Sequence, residues 1–163
     1  MGSRYAFDYI EAARVVDTDA QKKVEPAINM ISPMPAYFLA AHGIELTLKA
    51  YLRHSGVSAR ELIMKYGHGL LICNEAAKEL GLAEHFNEAG SDSAALELLE
   101  ELNQYQAIRY ISTGVKTFPY WSIVEPLAVR LHQSVAPVVG CHTFEGITYS
   151  AHFDPSAHGR DEL

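Results

Sequence analysis

The chain has 163 residues, 48% of them hydrophobic, which is enough for one domain with a substantial core. Thirteen Lys and Arg against twenty Asp and Glu give a formal charge of −7, so the overall field repels a phosphate backbone and nucleic-acid binding requires a local basic patch. Cys73 and Cys141 lie far apart and form no Cys-x-x-Cys motif, which speaks against a disulfide framework or a zinc ribbon and fits a reducing compartment.

From the start, Tyr5, Tyr9, Ala12 and Val16 recur at helical spacing and predict a short amphipathic helix. This opening alternates charged and apolar residues, unlike a secretory signal, and no run approaches a membrane span, so a cytoplasmic location is expected. The final Arg-Asp-Glu-Leu imitates an endoplasmic-reticulum retention address, which has no use without an entry signal. Thr18-Asp19 predicts a cap and a second short helix towards Met30, interrupted by Pro26 and by the Ser-Pro-Met-Pro run before Ala36.

The next helix is the most informative. Tyr37, Ala41, Ile44, Leu48 and Tyr51 form one apolar stripe, and Leu39, Gly43, Leu46 and Ala50 form another, roughly 200° away at about 100° per residue. Between them run Phe38, His42, Glu45, Lys49 and Leu52. A helix apolar on both sides of a charged line is central, so that line faces protein or a lined cleft. Ala40, Ala41 and Gly43 permit close approach of a neighbouring helix.

Gly56 suits the helix stop, and Ser58 with Glu61 reads as a capping box opening a short helix to Lys65. Tyr66-Gly67-His68-Gly69 breaks it, after which Leu70, Cys73, Ala77 and Leu80 resume a helical pattern that ends at Gly81. Beyond a polar loop, Ser91-Asp92-Ser93 is available to cap a helix carrying Ala95, Leu98, Leu99, Leu102, Tyr105 and an inward Arg109, with Glu97, Glu100 and Glu101 towards solvent. A turn near Ser112-Thr113-Gly114 precedes a last long helix marked by Tyr120, Val124, Leu127, Leu131 and Val135, which is either kinked at Pro126 or regular only from Glu125. The expectation is an all-α fold, an up-and-down bundle of about five helices over residues 1–140. A weakly ordered tail follows over 141–163, with a small strand expected between Thr143 and Phe153.

The candidate site residues are His42, Glu45, Lys49, His68, Arg109 and Tyr110. Glu45 stands three residues from His42 and four from Lys49, so its carboxylate meets either neighbour along one face. The line reads as a structural network that satisfies half-buried charge or as a site, with His68, Arg109 and Tyr110 as further partners. His68 between two glycines presents an uncovered imidazole or simply makes the turn before the following helix. Arg109 pairs with Glu45 or holds a phosphate through two parallel hydrogen bonds. Tail residues Cys141, His142, His152 and His158 match no zinc-site spacing, and no phosphate loop or nucleophile elbow is present, so neither a metal nor a cofactor is expected. The aromatic cluster from Phe118 to Trp121 serves as core or as an interface anchor.

The ordered set His42-Gly-Ile-Glu45-Leu-Thr-Leu-Lys49-Ala-Tyr-Leu52, then Gly56, Tyr66-Gly67-His68-Gly-Leu-Leu71, a Leu-rich helix and Arg109-Tyr110 resembles the bacterial branch of the HEPN (higher eukaryotes and prokaryotes nucleotide-binding) domains, over about Tyr5 to Val135. The resemblance implies a helical bundle that forms homodimers and binds nucleotides or RNA, with some members acting as toxin ribonucleases in toxin–antitoxin pairs with a nucleotidyltransferase-type partner. Ribonuclease members carry an Arg followed after four to six residues by a His on one late helix. Here Arg60 and His68 have seven residues between them and Arg130 and His132 have one, so that motif is missing. The expected function is therefore a non-catalytic binding module for a nucleotide, RNA or partner protein. The alternative is a metal-independent ribonuclease with a non-standard site, His68 acting as general acid or base and Arg109 clamping the phosphate.

Overall fold

The computed structural model describes residues 2–23, 32–104 and 117–149. Helix α1 spans Gly2–Gln21 and α2 Met34–His54; α3 (Ala59–Glu61) runs into a π-helical turn, Leu62–Tyr66; α4 spans Leu70–Glu79, α5 Asp92–Gln104 and α6 Trp121–Val138. Among the described residues the protein is all-α, with no strand, and five of its helices have ten residues or more. No helix there is long and apolar enough to cross a membrane.

Helix α2 is the hub, touching α1, α4, α5 and α6. Its first predicted stripe, Tyr37, Ala41, Ile44, Leu48 and Tyr51, is buried throughout, with Leu48 and Ile44 wholly so. The second stripe meets α1 at Gly43, where a Cβ would lie 2.5 Å from Ile10 Cγ1 and 3.3 Å from the Ala6 carbonyl oxygen. Only a residue without a side chain allows the two backbones this approach. Tyr37 ties α2 to the start of α6: its ring packs on Phe118 and Trp121, with centroids 5.4 and 5.5 Å away, and its hydroxyl donates to the Pro119 carbonyl at 2.8 Å. Trp121, 6% exposed, is therefore core, and Tyr120 is the member of that cluster that faces out.

Several expectations need correction. The opening helix does not stop near Val16; α1 continues through Thr18 and Asp19, which are helical rather than a cap. The ion pair Asp19–Lys23 and the hydrogen bond from Gln21 to Asp17, both at four-residue spacing, carry that last turn. Residues 24–31, with the rest of the predicted second helix, lie outside the described residues. Leu80 is 44% exposed because α4 has ended at Glu79 before it. Of the two alternatives for α6, a regular part beginning only at Glu125 is excluded, because the helix starts at Trp121 with Pro126 inside it. Within the Ser91-Asp92-Ser93 start of α5, the Asp92 side chain is 1% exposed and takes two contacts from Arg130 of α6, at 2.7 and 2.8 Å, and the Ala89 N–H at 2.7 Å.

The first part of the tail runs over α1 and α6. Phe144 stacks on Phe7 (centroids 4.4 Å), and Gln133 donates to the carbonyls of Phe144 and Ile147 at 3.2 and 2.8 Å. The Tyr149 hydroxyl donates to Glu125, whose carboxylate also receives Arg14. Burial and the Glu125 carboxylate push the Tyr149 phenol well above its ordinary range. No strand forms among residues 143–149, and the remainder of the tail, including His152 and His158, is outside the described residues.

Candidate functional site

Three of the predicted site residues converge on a fourth. Glu45 lies on the α2 line between the two apolar stripes and is only 2% exposed. Its Oε1 accepts from Lys49 Nζ at 2.6 Å and lies 3.2 Å from His68 Nδ1, while its Oε2 is 3.7 Å from His42 Nδ1. The last distance is an ion-pair separation rather than a hydrogen bond. His42 also packs perpendicular to the Tyr9 ring, 4.4 Å between centroids. Arg109 and Tyr110 lie outside the described residues.

The turn that brings His68 to Glu45 follows from the local sequence. Ser58 and Glu61 form the predicted capping box: the Glu61 N–H donates to Ser58 Oγ at 3.1 Å and the Ser58 N–H to Glu61 Oε2 at 2.9 Å. The chain then widens into the π turn, whose inner residue Tyr66 is buried, and Gly67 takes φ +49° with ψ −121°, a conformation that needs glycine although nothing crowds the position. Lys49 fastens this turn by donating to the Gly67 carbonyl as well as to Glu45. The ammonium thus joins the central helix to the turn, and His68 stands immediately beyond it.

One contributor escaped the sequence reading. Glu100, assigned to the solvent face of α5, is 9% exposed, and its Oε2 accepts the N–H groups of Leu70 (2.5 Å) and Leu71 (2.9 Å) at the first turn of α4. It supplies from another helix the cap that Gly69, with no side chain, does not provide. Asn103, one turn further along, donates to the His68 carbonyl at 3.1 Å. Its place beside the apolar stripe of α5 was the available signal, because Glu100 follows Leu99 and precedes Leu102 by two.

The electrostatics are those of a buried carboxylate that stays charged. Burial alone raises the Glu45 pKa; the His42 imidazole, the hydrogen bond and charge of Lys49, and the charge of His68 outweigh it and bring the group down to about 2. Of these partners the Lys49 ammonium, at 2.6 Å, has the shortest contact. Behind the site, burial and the charges of Glu45 and Glu100 outweigh Lys49 and push the Cys73 thiol up to about 11, so Cys73 is a packed, un-ionised side chain. Both cysteines are free.

The arrangement therefore consists of a buried acid, an ammonium that it neutralises, and two imidazoles whose Nδ1 atoms face the acid. His68 is 83% exposed in its side chain and His42 39%. With Nδ1 directed to Glu45, Nε2 is the nitrogen that His68 offers to a ligand, either accepting a proton or donating one. Among the described residues no group of three or more His, Cys, Asp and Glu is placed to hold a metal ion. Comparison of the chain with protein-family models, with curated proteins and with solved structures gave no match.

Proposed function

We propose that this chain is a HEPN-like helical binding module that receives a nucleotide or RNA phosphate at the corner formed by His42, Glu45, Lys49 and His68, without turning it over. The observation that supports this reading is the His68–Glu45 contact, an exposed imidazole oriented by a buried carboxylate. Glu45 and Lys49 cancel, so an anionic group that meets the ring nitrogens of His42 and His68 is not opposed by an unbalanced carboxylate behind them. The acidic charge of the rest of the chain keeps long polyanions off and favours a small or terminal phosphate. Thermal unfolding in the presence of AMP, ATP and short oligoribonucleotides tests the reading. Ligand at about 100 times its Kd stabilises by about 2.7 kcal/mol, and His68→Ala removes most of the shift. No shift with any of these, or an equal shift in the variant, overturns it.

The same contact favours a second reading, a metal-independent ribonuclease in which Glu45 holds the His68 tautomer and His68 moves the proton. Cleavage of RNA in the presence of a chelator, abolished in His68→Ala and reduced in Glu45→Gln, separates the two; intact RNA leaves the binding module.

A further inference from the structure

The π turn carries a second surface that the Glu45 corner does not use. Ile63 and Met64 lie side by side on it, 72% and 76% exposed, the two most exposed large hydrophobic residues among those described. Their exposure is built in. The turn is held at its start by the Ser58–Glu61 box and at its end by Lys49 on the Gly67 carbonyl, while Leu62 and Tyr66 on either side pack inward. With both ends fixed and the inner positions filled, Ile63 and Met64 have no route into the core. π-helical turns of this kind are rare and occur frequently at functional sites.

The charge around them is opposite to that of the chain. Residues 50–69 contain three of the thirteen Lys and Arg (Arg53, Arg60, Lys65) and one of the twenty Asp and Glu, Glu61, a formal +2 within a chain of −7. Arg60 and Lys65, which flank the apolar pair, are both exposed. Glu61 is occupied by the Ser58 N–H. The result is an apolar pair between two cations on an otherwise acidic protein.

We infer that this turn is a docking surface for an acidic amphipathic segment of a partner protein, whose aliphatic side chains cover Ile63 and Met64 and whose carboxylates meet Arg60 and Lys65. Charge complementarity selects the occupant. A second copy meeting this pair with its own across a two-fold axis sets Arg60 and Lys65 against the same two cations, and a nucleic acid has no use for two aliphatic side chains where it needs an aromatic platform. The fixed turn also limits the ordering cost of association, because the apolar pair is already presented. This inference stands apart from the reading of the His68 corner.

The probe is a fluorescein-labelled synthetic peptide of Leu and Glu in helical amphipathic order, followed by anisotropy with the full-length chain. Saturable binding is expected, weakened about tenfold or more by Ile63→Ser with Met64→Ser. Arg60→Glu with Lys65→Glu weakens it severalfold in low salt, and His68→Ala leaves it unchanged. Circular dichroism of each variant matches the wild type, since all four side chains are exposed. No saturation up to about 1 mM peptide, or binding indifferent to both double variants, overturns the inference. Tighter binding of an RNA oligonucleotide that the Arg60/Lys65 variant abolishes and the Ile63/Met64 variant leaves alone overturns it in favour of nucleic acid. A dimer in sedimentation that Ile63→Ser with Met64→Ser dissolves overturns it in favour of a second copy.

Discussion

Replacing Glu45 by Gln keeps the shape of the side chain and removes the charge on which Lys49, His68 and His42 converge. The magnitude follows from the depressed pKa. Moving from the ordinary 4.5 to about 2 is worth about 3 kcal/mol of folded-state preference for the ionised form, at about 1.4 kcal/mol per unit. The group is nearly enclosed, so solvent screening does not erase that preference. A carboxyl with a lowered folded-state pKa contributes its stabilisation above the unfolded value and loses it as pH falls towards the folded one. The full effect is thus present above about pH 4.5 and is withdrawn between there and about pH 2. Glu45→Gln should destabilise by roughly 2–3 kcal/mol at pH 7, a fall of about 5–10 °C in Tm, because the amide still accepts from Lys49 but no longer balances it. Urea unfolding of both proteins at pH 7 and at pH 3 measures this, and the gap between them should narrow at the lower pH. A difference below about 0.5 kcal/mol at pH 7, or one that does not narrow on acidification, refutes the buried-charge account.

Further expectations rest on other contacts. Asp92→Ala strands Arg130, which meets both carboxylate oxygens, and should cost roughly 3–5 kcal/mol by denaturant unfolding. Gly43→Val drives a side chain into Ile10 Cγ1 and the Ala6 carbonyl and should cost at least about 1–3 kcal/mol, whereas an unchanged midpoint would show that α1 moves freely away. Glu100→Ala uncaps the first turn of α4 and should lower stability by about 1–2 kcal/mol while speeding amide exchange at Leu70 and Leu71. Cys73, buried and with its thiol pushed up to about 11, should resist iodoacetamide at pH 8 until the protein is unfolded, as peptide mass spectrometry reads directly.

The central helix was legible from one dimension because its first apolar stripe is buried throughout and its second is closed by α1 at Gly43, with Leu39, Leu46 and Ala50 half-buried beside it. The Glu45–Lys49 pair was legible for the same reason: spacing along one helix fixes it regardless of tertiary structure. His68 was a weaker inference, since its approach to Glu45 depends on the Lys49–Gly67 link and on a π turn that no periodicity announces. Glu100 was misassigned because burial at the edge of a helix face is decided by a neighbour, here the bare first turn of α4. The Asp92–Arg130 pair lies beyond sequence reasoning for the same reason, since its two members are 38 residues apart. The length of α1 was underestimated because Thr18-Asp19 has the composition of a cap, and the four-residue pairs that override it are visible only once the helix continues.

The most direct test of a ligand corner at Glu45 is an NMR titration of histidine-labelled protein with AMP. The His68 imidazole signals should move and saturate, together with the amides from Tyr66 to Leu70, and the response should disappear in Glu45→Gln. Saturating shifts elsewhere with His68 unmoved, or no shifts at all, would contradict it.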